Sequence, residues 1–164
     1  MLRPDAFADS LSEVSLAGLR GLGMRGIIVD LDNTLVGYGR DDLMPADEAW
    51  IAQAKEAGFK IVLVSNNFTT RVVRIGDRLS VPTVSAALKP LPGGFLRALK
   101  LLGTPKSATV VVGDQLFTDV LGAKLVGLHS ILTHPLVPHD WHGTKILRLL
   151  ERLVLGRRSR RKAS

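Results

Sequence analysis

The sequence predicts a single α/β domain, a doubly wound Rossmann-like fold built on a parallel sheet. From residue 27 onward, short apolar runs alternate with helical patterns, as in chains whose parallel strands are joined by helices. The short runs are continuously apolar, which is expected when helices cover both faces of the sheet. At 164 residues and 46% apolar composition, the chain has the length and content of one packed domain.

Five strands and four helices are predicted within this core. The strands are Ile27–Asp30, Lys60–Ser65, Thr83–Ala86, Thr109–Gly113 and Ser130–Leu132. The helices are Ala46–Ala57, Thr69–Leu79, Pro92–Leu102 and Asp119–Val126. Pro45 and Pro92 stand where two helices begin, and Gly58 and Gly103 stand where two helices end, which is the usual placement of these residues.

Two terminal segments lie outside the core of this single domain, which is expected to span residues 1–164. Residues 1–24 form an N-terminal extension whose leucine spacing predicts a short helix docked on the domain. Residues 144–164 contain an amphipathic helix, Thr144–Leu155, followed by a basic tail. Residues 157–162 supply five of the 22 basic residues, which leaves 17 against 15 acidic residues elsewhere. The net charge of +7 is therefore mainly a property of the tail.

Composition narrows the chemistry and the cellular location. The chain has no cysteine, so disulfides, thiolate metal sites and thiol nucleophiles are excluded, and a reducing cytoplasm is expected. Asp5 and Asp9 stand where a secretory signal would need an apolar run. No stretch approaches the roughly 18 uncharged residues of a membrane span. A cytoplasmic protein is expected, with peripheral contact to the inner face of the membrane through the C-terminal helix and tail left open.

Polar residues follow the ends of successive predicted strands. Asp30 and Asp32 end the first strand, and Ser65-Asn66-Asn67 ends the second. Lys89 follows the third strand and precedes a proline. Because the carboxyl ends of parallel strands meet at one edge, where ligands of such folds bind, these groups are predicted to form one site. Taken alone, the Asp-x-Asp pair is equally consistent with an Asx turn.

The fourth strand ends in Gly113-Asp114, and Asp119 follows five residues later. The ordered set Asp-x-Asp-x-Thr, Ser-Asn, Lys-Pro and Gly-Asp-x-x-x-x-Asp resembles the four motifs of the haloacid dehalogenase superfamily. The segments that narrow the resemblance are Leu31–Val36, Val64–Asn67, Ala87–Pro90 and Val112–Val120. They are similar to the YqeG-like family of subfamily IIIA phosphatases, which is related to phosphatidylglycerophosphate phosphatases.

The resemblance implies a role for each motif residue in phosphoryl transfer. Asp30 would be the nucleophile that forms an aspartyl-phosphate. Asp32, held by a hydrogen bond from Thr34, would protonate the leaving oxygen and then activate water. The Ser65 hydroxyl and the Asn66 backbone N–H would bind the phosphoryl group.

The resemblance also implies a cation site. Lys89 would place its positive charge beside the nucleophile and the phosphoryl group. Asp30, Asp114 and the Asp32 backbone carbonyl would hold Mg²⁺, which prefers oxygen ligands. Asp119 would act as an outer or water-mediated ligand, and it could cap the helix that follows, either instead or as well.

The spacing between motifs bears on the substrate. Residues 33–64 and 66–88 leave no room for an inserted cap domain, so the site is expected to be open, which suits a phosphate displayed on a large molecule. The expected substrate is a phosphate monoester, with phosphatidylglycerophosphate as the leading example. A soluble sugar phosphate, a nucleotide or a phosphoprotein is the alternative. A nucleic-acid- or ribosome-associated binding protein with a vestigial site is the third interpretation.

Four histidines lie near the end of the chain: His129, His134, His139 and His142. Their spacing supplies no third zinc ligand, so surface or loop-packing positions are predicted for them. Trp50 is predicted to pack in the core. The sequence predicts no oligomeric state.

Overall fold

The structure is a computed structural model that describes residues 2–37, 41–68 and 70–136. The amphipathic helix and basic tail predicted for residues 144–164, together with His139 and His142, lie outside the described residues. Within the described ranges, no helix is long and apolar enough to cross a membrane.

The sheet has six parallel strands in the order β1-β6-β5-β2-β3-β4. Their bounds are Ala6–Ala8 (β1), Gly26–Asp30 (β2), Lys60–Val64 (β3), Thr83–Val84 (β4), Thr109–Gly113 (β5) and His129–Thr133 (β6). The single α/β domain is confirmed, but the predicted count of five strands is wrong. The sixth strand is β1, which lies in the N-terminal extension and pairs with β6. Its three residues are too few to carry a periodic apolar pattern.

Five α-helices connect and flank the strands. Their bounds are Leu16–Gly21 (α1), Pro45–Glu56 (α2), Thr70–Leu79 (α3), Pro92–Leu102 (α4) and Leu121–Val126 (α5). The prediction for α2 differs from these bounds by one residue at each end, that for α3 differs by one residue at its start, and α4 agrees at both ends. The last predicted helix, Asp119–Val126, begins three residues too late: the helical segment starts with a π-helical turn, Leu116–Val120, and continues as α5.

The core lies on both faces of the sheet, as a doubly wound fold requires. Alternate residues of β2 face opposite layers: Val29 packs in one apolar cluster and Ile28 in the other. The first layer contains side chains of α1, α2 and α3, and the second contains those of α4 and α5. The continuously apolar strand runs therefore reflect burial on both sides.

Polar contacts attach the N-terminal extension to the domain, and three of them involve side chains of Asp5, Trp50 and Asp47. The Asp5 carboxylate accepts hydrogen bonds from the backbone N–H and the hydroxyl of Ser130. The Trp50 indole donates to the carbonyl of Val14 at 2.9 Å, so this tryptophan is a packing residue as predicted. Asp47 in α2 accepts from the backbone N–H of Ser12 at 3.0 Å.

Strand order positions the site. The chain moves outward from β2 in one direction through β3 and β4 and then returns to β5 on the other side of β2. The point between β2 and β5 is therefore the switch point, where ligands of open α/β sheets bind. Between β2 and β3, and between β3 and β4, the described residues contain one α-helix each and no inserted cap domain.

Candidate active site

A buried cluster of charged side chains lies at the carboxyl edge of the sheet. Asp30 ends β2, and Lys89 and Asp119 reach it from the loop after β4 and from the π-helical turn. The Lys89 ammonium donates to Asp30 and, at 2.5 Å, to Asp119. All three residues are buried, so the two carboxylates are joined through one cation in a region of low dielectric constant.

Asp114 completes an acidic group at the same edge. One carboxylate oxygen from each of Asp30, Asp114 and Asp119 lies within 4.8 Å of the others, and all three residues are buried. Gly113 makes this approach possible, because a Cβ atom there would lie 2.4 Å from the Asp119 carboxyl carbon. The Gly-Asp pair predicted from the sequence therefore has a steric basis: the glycine leaves space for Asp119.

Burial and neighbouring charges shift the pKa values in this cluster. Burial raises the pKa of Asp30 well above its usual value; the Lys89 ammonium opposes this shift, while Asp119 and Asp114 add to it. Burial alone would lower the pKa of Lys89, but the Asp119 and Asp30 carboxylates outweigh burial and raise it. Lys89 is therefore a fixed positive charge across the physiological pH range.

Asp32 lies only two residues beyond Asp30 but belongs to a different network. Its Oδ2 atom accepts hydrogen bonds from the Ser65 hydroxyl and the Asn67 side-chain amide, both at 2.9 Å. Its Oδ1 atom accepts from the Arg71 guanidinium at 2.8 Å. Asp32 is thus held on both oxygens by donors and is partly exposed, whereas Asp30 lies in the buried cluster.

Arg71 is a functional candidate that the sequence reasoning missed. It lies in the first turn of α3, and its guanidinium contacts Asp32, Asp41 at 2.7 Å and the carbonyl of Gly37 at 3.1 Å. These contacts join the segment after β2 to the helix after β3. An arginine within a helical pattern is usually a solvent-exposed charge. Only its position just after the Ser-Asn motif could have indicated that Arg71 belongs to the site.

The loop that carries Lys89 is fixed by its neighbour. Asn66 accepts from the Lys89 backbone N–H at 2.7 Å and donates to the Lys89 carbonyl at 3.2 Å. Ala86 and Leu88 in the same loop have φ of 49° and 55°, values that cost L-residues free energy. The side chain of Asn66 thus holds the lysine backbone, a contact that the sequence did not predict.

Two expectations for supporting residues need correction. Thr34 was expected to hold Asp32, but its hydroxyl has no hydrogen-bond partner among the described residues, and Ser65, Asn67 and Arg71 bind Asp32 instead. The left-handed Asn33, with φ of 63°, reverses the chain between the two residues. Asp119 does not cap α5, because the N-cap is Val120 and the Asp119 carboxylate accepts from the Gln115 backbone N–H.

The described histidines approach acidic residues of the N-terminal segment, Asp5 and Asp9. His129 approaches Asp5, with 3.8 Å between its Nδ1 atom and a carboxylate oxygen. His134 lies 3.5 Å from Asp9, and both of these side chains are well exposed. His134 lies at the surface, as predicted, whereas His129 is half-buried at the start of β6.

Comparisons with known proteins identify the family of the chain. The family described as haloacid dehalogenase-like hydrolase matches residues 36–127. A probable phosphatase of Bacillus subtilis, YqeG, is 38% identical over 152 residues, which cover 93% of this chain and 88% of that protein. A chloroplastic phosphatidylglycerophosphate phosphatase 1 of Chlamydomonas reinhardtii is 25% identical, over 81% of this chain and 53% of that protein.

A solved structure supports the fold independently. A subfamily III A haloacid dehalogenase hydrolase from Legionella pneumophila superposes with a TM-score of 0.56 at 16% identity, over 69% of this chain and 67% of that one. The chain belongs to the haloacid dehalogenase-like hydrolase family. The predicted enzyme class, a phosphatase resembling YqeG, is confirmed.

Proposed function

We propose that this phosphatase is magnesium-dependent, forms a covalent aspartyl-phosphate on Asp30, and acts on a phosphate monoester of a phospholipid headgroup, phosphatidylglycerophosphate being the leading example. The observation that carries the mechanism is the separation of Asp30 and Asp32 into two networks. Two carboxylates in different environments can take different roles in one reaction.

In the first step, a carboxylate oxygen of Asp30 attacks phosphorus and the bond from phosphorus to the leaving oxygen breaks. Asp32 gives its proton to the leaving oxygen, so the alcohol departs neutral. Lys89 keeps Asp30 in position through their ion pair and stabilises negative charge on the phosphoryl oxygens.

In the second step, Asp32 accepts a proton from water as the water oxygen attacks phosphorus. The bond between phosphorus and the Asp30 oxygen breaks, which releases inorganic phosphate and restores the carboxylate. The Ser65 hydroxyl and the Asn66 backbone N–H are proposed to bind phosphoryl oxygens. In the structure the Ser65 hydroxyl donates to Asp32 at 2.9 Å, so this role requires it to exchange partners when the phosphoryl group binds.

The acidic group fits a divalent cation. Three buried carboxylates face one ammonium, which leaves an excess of about two negative charges when all are ionised. The donors are all oxygen, as Mg²⁺ prefers. Asp30, Asp114 and the Asp32 backbone carbonyl would bind the ion, with Asp119 as an outer ligand. The ion would neutralise charge on the phosphoryl group and favour the ionised form of Asp30.

A lipid substrate is supported by the open site and by the relatives. Among the described residues no cap domain covers the carboxyl edge, so a phosphate on a large assembly can reach it. The Chlamydomonas relative is named for phosphatidylglycerophosphate.

The test is hydrolysis of an aryl phosphate and of lipid phosphates in mixed micelles, with magnesium and with a chelator. Wild type should need magnesium, and Asp30→Asn should abolish both activities. Asp32→Asn should slow turnover by roughly 10²–10⁴-fold. Aryl phosphate hydrolysis by Asp30→Asn above a mock preparation would contradict the nucleophile. Activity on soluble sugar phosphates but not on lipids would contradict the proposed lipid substrate, but it would not contradict the proposed mechanism.

A further inference from the structure

Asn67, in the loop after β3, contacts two side chains of the proposed site at once. Its side-chain amide donates to Asp32 Oδ2 at 2.9 Å, and its backbone N–H donates to the Ser65 hydroxyl oxygen at 3.1 Å. The Ser65 hydroxyl in turn donates to the same Asp32 oxygen at 2.9 Å. Asp32, Ser65 and Asn67 therefore form a closed triangle of hydrogen bonds.

The donors available fix the direction of each bond in the triangle. A carboxylate can only accept hydrogen bonds, so Asn67 must present its amide nitrogen to Asp32 rather than its carbonyl oxygen. The Ser65 hydroxyl has one hydrogen, while its oxygen can accept a bond from Asn67 at the same time. That one hydrogen can be given to Asp32 or to a phosphoryl oxygen, but not fully to both.

The arrival of a phosphoryl group therefore changes the triangle. In the proposed mechanism the Ser65 hydroxyl donates to a phosphoryl oxygen, so its hydrogen leaves Asp32. The hydroxyl oxygen need not move, because the Asn67 backbone N–H still holds it and the hydrogen only rotates about the Cβ–Oγ bond. Of the two donors that the described residues supply to Asp32 Oδ2, the Asn67 amide then remains.

The backbone of Asn67 is anchored independently of Asp32. Its carbonyl accepts from the Ala86 N–H at 3.0 Å, and the Ser65 carbonyl accepts from the Ala87 N–H at 3.0 Å. These bonds attach the loop after β3 to the loop that leads to Lys89. A short side chain on a fixed backbone can hold a reacting group in a defined place.

We propose that Asn67 is a positioning residue, whose amide holds Asp32 for both proton transfers while the Ser65 hydroxyl is occupied by the phosphoryl group. The proposal rests on the proposed function, because it presupposes that Asp32 acts on the leaving oxygen and on water. Arg71 donates to Oδ1 of Asp32, so Asn67 and Arg71 together fix both carboxylate oxygens after the exchange. A small displacement of such a group slows a reaction severely.

Substitutions at Asn67 remove the amide and leave the two backbone contacts in place. Asn67→Ala should lower kcat for a soluble aryl phosphate by roughly 10–100-fold, as expected for a lost hydrogen bond to a charged group. Its KM should stay within about twofold of wild type, because the Asn67 side chain acts through Asp32 and not on the substrate. Steady-state kinetics in the presence of magnesium measure both constants.

Two further substitutions and a control separate hydrogen bonding from packing. Asn67→Leu fills similar space without a donor and should match Asn67→Ala. Asn67→Gln keeps an amide and should restore part of kcat. Phe68→Ala is the matched control, because it removes a side chain that is 80% exposed from the same loop, and it should match wild type.

A double-mutant cycle with Ser65 tests the exchange of partners. If the Ser65 hydroxyl leaves Asp32 during turnover, Asn67→Ala should lower kcat by the same factor in wild type and in Ser65→Ala. If the hydroxyl stayed on Asp32, either donor could replace the other. Asn67→Ala would then change kcat little by itself and far more in the Ser65→Ala background, which would contradict the exchange.

A second cycle tests whether Asn67 acts through Asp32. In Asp32→Asn the group that Asn67 positions can no longer transfer protons, so Asn67→Ala should cause no further loss of kcat. An equal loss in both backgrounds would show a general structural role and overturn the proposal. A kcat like that of wild type in Asn67→Ala would overturn it too, as would a raised KM with unchanged kcat, which indicates a contact with substrate.

Failure of the proposed function has a separate signature. Wild type would then show no magnesium-dependent hydrolysis of the aryl phosphate, or Asp32→Asn would hydrolyse it at the wild-type rate. If Asp32→Asn is slow and Asn67→Ala is not, the proposed function stands and the role of Asn67 does not.

Discussion

The two edges of the sheet use left-handed backbone in different ways. At the amino edge, where helices lead into β2, β3, β5 and β6, the residues with positive φ are Gly23, Gly58, Gly103 and Gly127. At the carboxyl edge they are Asn33, Ala86 and Leu88. Ser80, which precedes β4, is the exception at the amino edge. Positive φ has no steric cost for glycine, but it has one for most other residues. Backbone strain is therefore concentrated at the edge that carries the proposed site.

The two edges also differ in the charge of their buried polar groups. At the amino edge the Thr109 hydroxyl contacts the Thr104 hydroxyl and the carbonyl of Pro105, both neutral. At the carboxyl edge Lys89 is buried between two carboxylates. Neutral hydrogen bonds stabilise a fold at little desolvation cost, whereas buried charges are costly unless they are paired. The carboxyl edge, which carries the proposed site, thus contains the buried groups that are more costly for stability.

The largest expected effect is the loss of the buried cation. Lys89→Met should abolish phosphatase activity. In the presence of a chelator it should also lower the free energy of unfolding by about 3–5 kcal/mol, because it leaves buried carboxylates without their partner. Urea unfolding at neutral pH measures this change.

The control is the Lys124–Asp5 ion pair, whose lysine side chain is 34% exposed. Lys124→Met should cost less than about 1 kcal/mol, since an exposed pair is screened by water. If the two lysine variants lost the same free energy of unfolding, the buried ion pairs would contribute no more to stability than the exposed pair.

A smaller effect is expected at Arg71, which holds Asp32 from α3. Arg71→Gln should lower kcat by roughly 10–100-fold through displacement of Asp32, with a smaller change in KM. Arg71→Lys should restore part of the loss. Arg74→Gln is the matched control, because Arg74 also contacts Asp41, at 3.3 Å, but has no recorded contact with Asp32. If the two glutamine variants were equally active, Arg71 would have no positioning role.

The smallest effect concerns backbone strain. Gly58 has φ of 89° and open space around it, so Gly58→Ala should destabilise the protein by about 1 kcal/mol through conformation alone. Ala86→Gly should leave the free energy of unfolding within about 0.5 kcal/mol of wild type or raise it, since relief of strain offsets the greater freedom of glycine when unfolded. Thermal or urea unfolding of both variants measures these changes in the free energy of unfolding. Equal destabilisation of the two variants would contradict backbone strain at Ala86.

Much of the fold could be predicted because it follows from buried periodic segments. The bounds of β5 and α4 agree with their predictions at both ends, since long apolar runs with proline and glycine at their ends define such elements well. The edge strand β1 could not be predicted, because its pairing with β6 is a long-range contact. The start of the last helix was predicted three residues late, at Asp119, because the π-helical turn Leu116–Val120 does not follow the 3.6-residue period on which a helix prediction depends.

The site was predictable as a set of residues but not as a set of contacts. Motif order placed Asp30, Lys89 and Asp119 at one edge, and they do lie together. The partners of Asp32 were not predictable, because Arg71 lies 39 positions away in sequence and its direction depends on how α3 packs. Thr34 shows the converse error: proximity in sequence suggested a hydrogen bond to Asp32 that the structure does not contain.

The central claim is that Asp30 carries the phosphoryl group while Asp32 later activates water. It is tested most directly by mixing Asp32→Asn with an aryl phosphate and magnesium, quenching in acid, and locating the added phosphoryl mass by peptide mass spectrometry. Slow attack by water in this variant should let a phosphorylated form accumulate, with the modification on the peptide that contains Asp30 and none in Asp30→Asn. Turnover by wild type with the phosphoryl group on another residue, or persistent labelling in Asp30→Asn, would contradict the account.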